Sequence, residues 1–370
     1  MSFLEHFSIV EDPRKDINVK HDFMDVLFLT VSAVMSGCEG WSDIELFGRH
    51  KLDWLRKYRD FASGIPVDDT IARIIRAIKP SQLNEAFLNW VNEIRQSTGQ
   101  PQIAIDGKTL RHSYQTDNKH SALHSITAWS TDAGLVLAQL KSSGKKNEQA
   151  GVLELLDCLD IKGALITADA MSTQKKIVNK IKENEGDYLL SLKGNQSKLN
   201  AEVEAWFHKM ERDSPKSIEA LEEVDSGHGR IEVRRYYQLP VSDWIASAEQ
   251  WAGLTSVIKV ERERQNKSEA NSSSETQYYI SSLGLDIQRV ASATRKHWEV
   301  ENKAHWVLDM VFKEDDSRIR KDDGAENAGV IRRFCLNMAR LHPKKSSMRQ
   351  KLKMAAYSDD IRSELIFGIS

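Results

Sequence analysis

The chain has few cysteines for its length, and they are widely spaced. Only three occur in 370 residues, at Cys38, Cys158 and Cys335. Structural zinc sites and disulfide frameworks need closely spaced or numerous cysteines. The spacing therefore argues against both kinds of site and favours three free thiols buried as small apolar side chains.

Long apolar runs are also missing. The longest, Val26 to Met35, is about half of what a helix needs to cross a bilayer. The first residues, Met-Ser-Phe-Leu-Glu-His, lack the basic start and apolar core of a secretory signal. We therefore expect a soluble, intracellular protein with no membrane partner.

An excess of positive charge is absent as well. The net charge of −2 and the isoelectric point near 6.6 argue mildly against a nucleic-acid partner, although a basic face matters more than a basic total. The stretch Arg340 to Tyr357 has several Lys and Arg residues and no acid. It either lies along a phosphate backbone or forms a solvated helix or tail.

Signatures of several enzyme classes do not occur. The sequence has no glycine-rich loop for the phosphates of ATP, no nucleophile elbow and no Cys–His pairing motif. Hydrolysis through a serine or cysteine nucleophile is therefore disfavoured.

The patterns that are present divide the chain into regions. With 40% apolar residues the chain can bury a proper core, and its length predicts two or three domains. Apolar spacing predicts a hairpin from His124–Trp129 and Leu135–Leu140, followed by alternating helices and strands, which indicates a mixed sheet covered by helices. The predicted regions are a helical domain at 1–95, the first part of an α/β domain at 96–196, a β-rich insertion at 197–285, a helical second part at 286–345 and a basic tail at 346–370.

Two acids follow short apolar strands. Asp106 comes after Gln102–Ile105, and Asp169 comes after Ala164–Ala168. Side chains at such strand ends leave the sheet but are held rigidly, and the predicted order allows the two strands to be neighbours. Capping of the next turn is the alternative role. Carboxylates held together favour a hard divalent cation such as Mg²⁺, and two such ions can support phosphoryl transfer.

A third acid can come from a late helix. His297, Glu301, His305 and Asp309 recur at i+4 steps and share one side of it, whereas Glu299 faces elsewhere. The aromatic and β-branched residues between them are expected to pack, namely Trp298, Val300, Trp306 and Val307. An ordinary amphipathic helix with a charged outer face has the same pattern.

Five segments carry a family resemblance: IAIDGKTLR, LITADAMSTQ, YLLSLKGNQ, SGHGRIEVRR and HWEVENKAHWVLDMVFKEDDSR. In this order they resemble the H-repeat-associated group of bacterial insertion-sequence DDE transposases. The resemblance implies a ribonuclease-H-like catalytic domain in which Asp106, Asp169 and Glu301 bind two Mg²⁺ or Mn²⁺ ions. It also implies cleavage at transposon ends, 3′-hydroxyl strand transfer into target DNA, and a cytoplasmic, nucleoid-associated bacterial protein.

The sequence departs from the broader relatives around the final Glu. They place Tyr, Arg and Lys where this chain has Thr294, His297 and Leu308. The candidate DNA contacts are therefore taken from basic and polar residues near the motifs: Lys108, Arg111, Lys193, Asn195, Arg230, Arg234, Arg295, His297 and Lys303. Ordinary surface roles are the alternative for each of them.

The expected partners are the terminal inverted repeats of a transposon and the target DNA, bound by a homodimer. Two other functions remain open at this point. One is a nuclease or resolvase with the same fold, and the other is a catalytically silent, DNA-binding relic.

Overall fold

The structure is a computed structural model that describes residues 3–15, 19–94, 101–110, 124–142, 148–227, 230–266 and 272–368. The strands are β1 Gln102–Thr109, β2 His124–Ser130, β3 Leu135–Ser142, β4 Leu165–Ala168, β5 Asp187–Leu192, β6 Glu219–Gly227, β7 Arg230–Pro240, β8 Ser256–Asn266 and β9 Ser272–Ser281. The helices are α1 Phe3–Phe7, α2 Phe23–Met35, α3 Trp41–Leu55, α4 Asp68–Ala77, α5 Pro80–Ile94, α6 Glu148–Cys158, α7 Lys175–Glu183, α8 Ser197–Asp213, α9 Ile287–His297, α10 Trp306–Met310, α11 Gly324–Leu341, α12 Met348–Tyr357 and α13 Asp359–Phe367.

The strands form one mixed sheet in the order β3-β2-β1-β4-β5-β9-β8-β7-β6. Strands β1, β4 and β5 run parallel to one another, and every other neighbouring pair is antiparallel. The predicted mixed sheet with helices is confirmed, and so is the hairpin of β2 and β3.

Helices cover both faces of the central strands, which explains why these strands are apolar almost throughout. Successive residues of a strand point to opposite faces. Leu165 packs with Val290 of α9 in one cluster, whereas the next residue, Ile166, packs in the main core with Leu155 of α6. The site described below lies on the side that α9 covers.

The β-rich segment predicted for 197–285 extends this same sheet. β9 pairs with β5 in an antiparallel register that joins Ile280 to Leu190, and β8, β7 and β6 follow outward. β6 was not predicted from the sequence, because its residues are acidic and mostly exposed at the sheet edge.

Helix α11 lies between the N-terminal helices and the sheet and is buried along nearly its whole length. The Asn327 amide donates hydrogen bonds to the carbonyls of Ile75 and Ile78, at the end of α4. The Asn337 amide both accepts from and donates to the backbone of Val136 on β3. Polar side chains inside this helix thus satisfy backbone groups of both neighbours.

The basic tail predicted for 346–370 consists of helices α12 and α13 over its described part. Lys351 is 7% exposed and donates to backbone carbonyls. The Arg362 guanidinium lies 4.0 Å from the ring centre of Trp54, and Lys51 Nζ lies 2.9 Å from Asp359 Oδ1. The long side chains use their stems and charges to pack against α3 and α11, so the solvated-tail alternative does not describe Lys351 and Arg362.

The late helix predicted to carry His297, Glu301, His305 and Asp309 is interrupted. A π-helix, Val300–His305, separates α9 from α10. Val300 and Val307 are buried as expected, but Trp298 and Trp306 are 50% and 56% exposed. π-Helical turns are rare and often occur at functional sites.

No helix among the described residues is long and apolar enough to span a membrane. The expectation of three buried thiols holds for Cys335, while Cys38 is half-buried and Cys158 is exposed.

A buried ion pair joins the segment after α10 to α11. Arg333 Nη1 lies 2.6 Å from Glu314 Oε1, and both side chains are 0% exposed. Burial opposes ionisation of Glu314, but the charges of Arg333, Lys108 and Arg332 outweigh it and hold its pKa at about 2. The pair is therefore charged at neutral pH.

Replacing Glu314→Gln is expected to lower the free energy of unfolding at pH 7 by about 3–5 kcal/mol, because it leaves Arg333 buried without its carboxylate. A depressed pKa in the folded state stabilises the protein above the ordinary carboxyl pKa and stops doing so as the pH falls towards 2. The difference in unfolding free energy between parent and variant, measured by urea denaturation, should thus shrink below about pH 4.5. A gap that stays constant down to the acid limit would contradict this assignment.

Candidate active site

Strand register places the two predicted aspartates side by side. Ile105 of β1 pairs with Ala168 of the parallel neighbour β4, so the next residues, Asp106 and Asp169, lie next to each other. β4 ends before Asp169, whereas β1 continues beyond Asp106, which pairs with Thr127 of β2, so the strand end predicted at Asp106 is wrong.

The direction of the Asp106 side chain follows from that of Gln102 on the same strand. The Gln102 amide donates to the Ala293 carbonyl of α9, so Gln102 lies on the face of the sheet that α9 covers. Because side chains alternate along a strand, Asp106 points to the same side as Gln102.

Asp169 also contacts the turn that follows it in the chain. Its Oδ1 accepts a hydrogen bond from the Ser172 backbone N–H at 3.2 Å and caps the short turn Ala170–Ser172. Burial raises the pKa of Asp169, and the nearby charges of Glu148 and Asp106 act in the same direction. The carboxylate therefore caps a turn and also lies in a strongly negative environment. Helix α7 begins at Lys175, not at Ser172 as the sequence predicted.

The π-helix brings Glu301 close to Asp106 through His305. His305 Nδ1 lies 3.1 Å from Glu301 Oε2 and 3.4 Å from Asp106 Oδ2. The His305 side chain is 2% exposed, whereas Glu301 is 56% exposed. Ligand atoms of Asp106, Glu301 and His305 all lie within 4.8 Å of one another.

His305 is placed to balance part of the negative charge of these acids. Burial opposes its protonation, but hydrogen bonds to Asp106 and Glu301 outweigh that effect and raise the pKa of His305. The same hydrogen bond lowers the pKa of Glu301. A proton on the ring relieves the repulsion between the two carboxylates, as a divalent cation in the same place would.

The three predicted acids line one cleft of about 760 Å³. The other lining residues include Lys193, His297, Trp298, Arg262 and Arg264. Carboxylate oxygens are the ligands that Mg²⁺ and Mn²⁺ prefer, and an imidazole nitrogen is acceptable to transition metals such as Mn²⁺. The donor set therefore fits a divalent cation.

Two of the predicted DNA contacts lie on the wall of this cleft. Lys193 is exposed there, and His297 shares the wall with the acids. Burial lowers the pKa of His297, so its ring is neutral at pH 7 and can offer a phosphate a hydrogen bond but not a charge. Asn195 is exposed, and its amide donates to the Ala170 carbonyl, which ties its loop to the turn after Asp169.

Lys108 has a different role from the predicted DNA contact. Its side chain is 10% exposed and its ammonium forms ion pairs with Asp309, Glu314 and Asp315. An ammonium held by three acids inside the protein is not available to a DNA phosphate. It instead joins the end of β1 to the segment after α10.

The remaining candidates lie away from the acids or outside the described residues. Lys303 pairs with Glu299 at 2.8 Å and is not part of the cleft wall. Arg230, Arg234 and Arg295 line a second cavity beside the cleft. Arg111 lies outside the described residues, as does His228.

Comparison with known proteins decides the family. Residues 97–338 match the family described as "Transposase DDE domain", and residues 4–91 match one described as "DDE_Tnp_1-associated". The chain is 41% identical over 369 residues to "H repeat-associated putative transposase YhhI" of Escherichia coli K12, covering 99% of this chain and 97% of that one. The chain belongs to the H-repeat-associated DDE transposase family.

Other relatives agree with this assignment. "Putative transposase YncI" of Escherichia coli O157:H7 is 39% identical over 378 residues, with 100% of this chain and 95% of that one covered. "Inactive transposase YbfQ" of Escherichia coli K12 is 54% identical over 72 residues, which are 20% of this chain and 86% of that one. A piggyBac transposase synaptic complex with hairpin DNA aligns with a TM-score of 0.43 and 13% identity over 97% of this chain and 75% of that one, too distant to support a conclusion.

The family signature IDGK contains a glycine whose place in this DDE transposase has a steric cause. A Cβ on Gly107 would lie 2.8 Å from both Glu148 Oε1 and His124 Nε2. These two side chains are buried and pair at 3.1 Å, and Thr109 contacts the other nitrogen of His124 at 3.0 Å. Only glycine lets this pair pack directly behind the strand that carries Asp106.

His305 and Glu148 are the residues near the acids that sequence reasoning did not assign. The i+4 spacing from Glu301 placed His305 on the correct side of the helix. Glu148 had no comparable signal, because its position near Asp169 depends on how α6 packs on the sheet.

Gly107→Ala is expected to destabilise the transposase by about 1–3 kcal/mol, because the new methyl group overpacks the His124–Glu148 pair. Thermal and urea unfolding will measure the loss. Gly284→Ala is the matched control, since a Cβ there meets no atom within 4 Å, and its effect should stay within about 0.5 kcal/mol. Equal effects of the two substitutions would refute the steric explanation.

Proposed function

We propose that this transposase cleaves DNA at the ends of its element and transfers the freed 3′-hydroxyl into target DNA, using divalent ions held by Asp106, Asp169 and Glu301. One observation carries the proposal: three acids from two adjacent strands and a π-helix line the same cleft. Acids gathered in this way suit metal-assisted phosphoryl transfer better than any nucleophile-based hydrolysis.

The five strands β3-β2-β1-β4-β5 support a ribonuclease-H-like core for this chemistry. Their order places the antiparallel pair β3-β2 beside β1, and the parallel strands β4 and β5 on the other side. Asp106 follows the buried part of β1 and Asp169 follows β4, which are the positions that the family resemblance implies.

The three acids are proposed to hold two Mg²⁺ or Mn²⁺ ions. When bound, such ions polarise the phosphodiester and make an attacking oxygen more nucleophilic. Asp106 and Asp169 are held rigidly by the sheet, whereas Glu301 comes from the exposed side of the π-helix. His305 keeps the Asp106 and Glu301 carboxylates next to each other and is a fourth candidate ligand.

The remaining residues of the cleft are proposed to orient the DNA. Lys193 neutralises a backbone phosphate, and neutral His297 donates a hydrogen bond to one. Positioning and charge neutralisation carry most of the catalysis in phosphoryl transfer, so rigid elements around the acids are the expected design. Bringing two element ends together makes a homodimer on DNA the expected assembly.

Two other functions are separated from this one by experiment. A nuclease or resolvase would cleave but would not join a precut 3′-hydroxyl end to a plasmid. A silent relic would bind DNA without cleaving it. The three acids and the charge-balancing His305 are all in place, which favours an active enzyme over a relic.

Asp106→Asn is expected to reduce Mn²⁺-dependent cleavage of a duplex carrying the element end by at least about a hundredfold, because it removes a charged ligand from the ions. Binding of the same duplex, measured without metal, should remain close to that of the parent. Asp169→Asn and Glu301→Gln should behave alike. The assay is strand cleavage resolved on a denaturing gel, followed by transfer into a plasmid.

The matched control for Glu301 is Glu299→Gln. Glu299 lies two residues away, pairs with Lys303 and takes no part in the cleft wall. It should cleave at the rate of the parent. Full cleavage by Asp106→Asn, or equal losses in Glu299→Gln and Glu301→Gln, would show that the acids have been assigned wrongly.

A further inference from the structure

A second cavity, of about 270 Å³, adjoins the catalytic cleft and is rich in arginine. Five guanidinium side chains line it, and a single carboxylate, Glu232, lies among them. The arginines are Arg230, Arg234, Arg262, Arg264 and Arg295. The volume is below the ~300–1,000 Å³ of ordinary small-molecule pockets, so the cavity suits one charged group and not a whole ligand.

Cross-strand pairing gathers three of these arginines around Glu232. Glu232 of β7 pairs with Arg264 of β8, and Arg234 pairs with Arg262. Residues 232, 234, 262 and 264 therefore share one face of the sheet. Oε1 of Glu232 lies 2.6 Å from Arg234 Nη2, 3.3 Å from Arg262 Nε and 3.6 Å from Arg264 Nε.

One carboxylate cannot balance three guanidinium groups. Glu232 is 6% exposed, and the other acids that approach the group are rim residues. Asp225 lies 3.9 Å from Arg234 and also pairs with Arg295, Glu223 lies 4.0 Å from Arg295, and Glu275 lies 3.7 Å from Arg262. Each of the three is between 37% and 59% exposed, and exposed ion pairs are weak and easily exchanged.

At least one hydrogen-bond donor of these arginines also lacks an acceptor among the described residues. Nη1 of Arg234 is buried and donates to no acceptor within hydrogen-bonding geometry among the described residues. Arg230 is exposed and forms no ion pair with the part of the chain that the structure describes. Guanidinium forks match the oxygens of a phosphate, which can accept several such donors at once.

The cavity is continuous with the catalytic cleft. The two share a wall made of Val260, Arg262, Arg264, Tyr279 and Trp298. The Arg262 guanidinium also lies 5.9 Å from the ring centre of Trp298, which holds it between the two spaces. The arginines therefore lie next to the space that a DNA strand with one phosphate at the acids would occupy.

We propose that Arg234, Arg262 and Arg264, gathered by Glu232, bind a backbone phosphate of the DNA strand that enters the catalytic cleft. Glu232 is the positioning residue of this site, since it holds like charges together that would otherwise separate. The inference rests on the proposed function in one respect, because it takes DNA to be the occupant of the cleft.

The test is DNA binding at a series of potassium chloride concentrations, with a fluorescein-labelled duplex in EDTA. A duplex of arbitrary sequence suffices, because phosphate contacts do not depend on base sequence. Arg262→Gln should weaken binding and reduce the slope of log affinity against log salt by about one unit, the value for one lost phosphate contact. Arg264→Gln should do the same.

Arg235→Gln is the matched control. Arg235 is the next residue after Arg234 but faces the other side of the sheet, where it pairs with Glu222 at 2.7 Å and Glu263 at 2.8 Å. It removes the same charge from the neighbouring strand β7 and should leave the salt slope unchanged. Thermal melting of each variant, together with the charge-conserving Arg262→Lys, separates loss of a contact from loss of folding.

Glu232→Ala distinguishes an effect of overall charge from an effect of positioning by the direction in which DNA affinity changes. Removing a negative charge strengthens DNA binding if only overall charge matters, whereas loss of the positioning carboxylate weakens it. Weaker binding by a folded Glu232→Ala variant supports the proposal, and tighter binding overturns it. An unchanged salt slope in folded Arg262→Gln and Arg264→Gln also overturns it.

The outcome is distinguishable from failure of the proposed function. If the parent binds DNA through Arg262 but never cleaves it, the phosphate site stands and the cleavage proposal fails. If the parent cleaves and the arginine variants bind like the parent, only the phosphate site is refuted. A parent that binds no DNA refutes both.

Discussion

Repulsion between carboxylates is the constraint around which the central part of this protein is built. The pairing of β1 with β4 places Asp106 and Asp169 next to each other, and the π-helix adds Glu301. Such a group is unstable unless positive charge enters it. The raised pKa of the buried His305 favours a protonated, positively charged ring beside the acids, and the rigid sheet prevents the acids from moving apart. The same elements that create the repulsion therefore create a strong preference for cations at this point.

Sequence patterns predicted the parts of the site that depend on local order. Short apolar runs that end in an acid located Asp106 and Asp169, and the helix–strand alternation made their strands neighbours. Spacing at i+4 put Glu301 and His305 on one side of a helix. The family resemblance then selected Glu301 over Glu299, and the geometry of the cleft is consistent with that selection. The division into domains and the roles of the three acids remain predictions.

Other features depend on contacts between distant segments, which periodicity does not contain. Lys108 looks like a free cation beside Asp106 in the sequence, but its partners Asp309, Glu314 and Asp315 come from about two hundred residues later. The edge strand β6 has no apolar alternation, because its side chains are mostly exposed and pair with arginines of β7 and α9. For the basic run before Tyr357 the sequence left a phosphate-backbone contact and a solvated helix open, whereas Lys351 donates to backbone carbonyls inside the fold.

The contact between residues near position 50 and residues near position 360 has a consequence for biosynthesis. Trp54 and Tyr58 both donate hydrogen bonds to Ser363, and Phe367 stacks on Tyr58 with ring centres 4.4 Å apart. The packing of residues near position 50 is thus complete only when residues near position 360 have been synthesised and have folded onto them. Contacts of such sequence separation slow folding, and a ribosome adds only about 5–20 residues per second. The first helical group of a nascent chain therefore stays incompletely packed, and accessible to chaperones, until residues near position 360 have been synthesised.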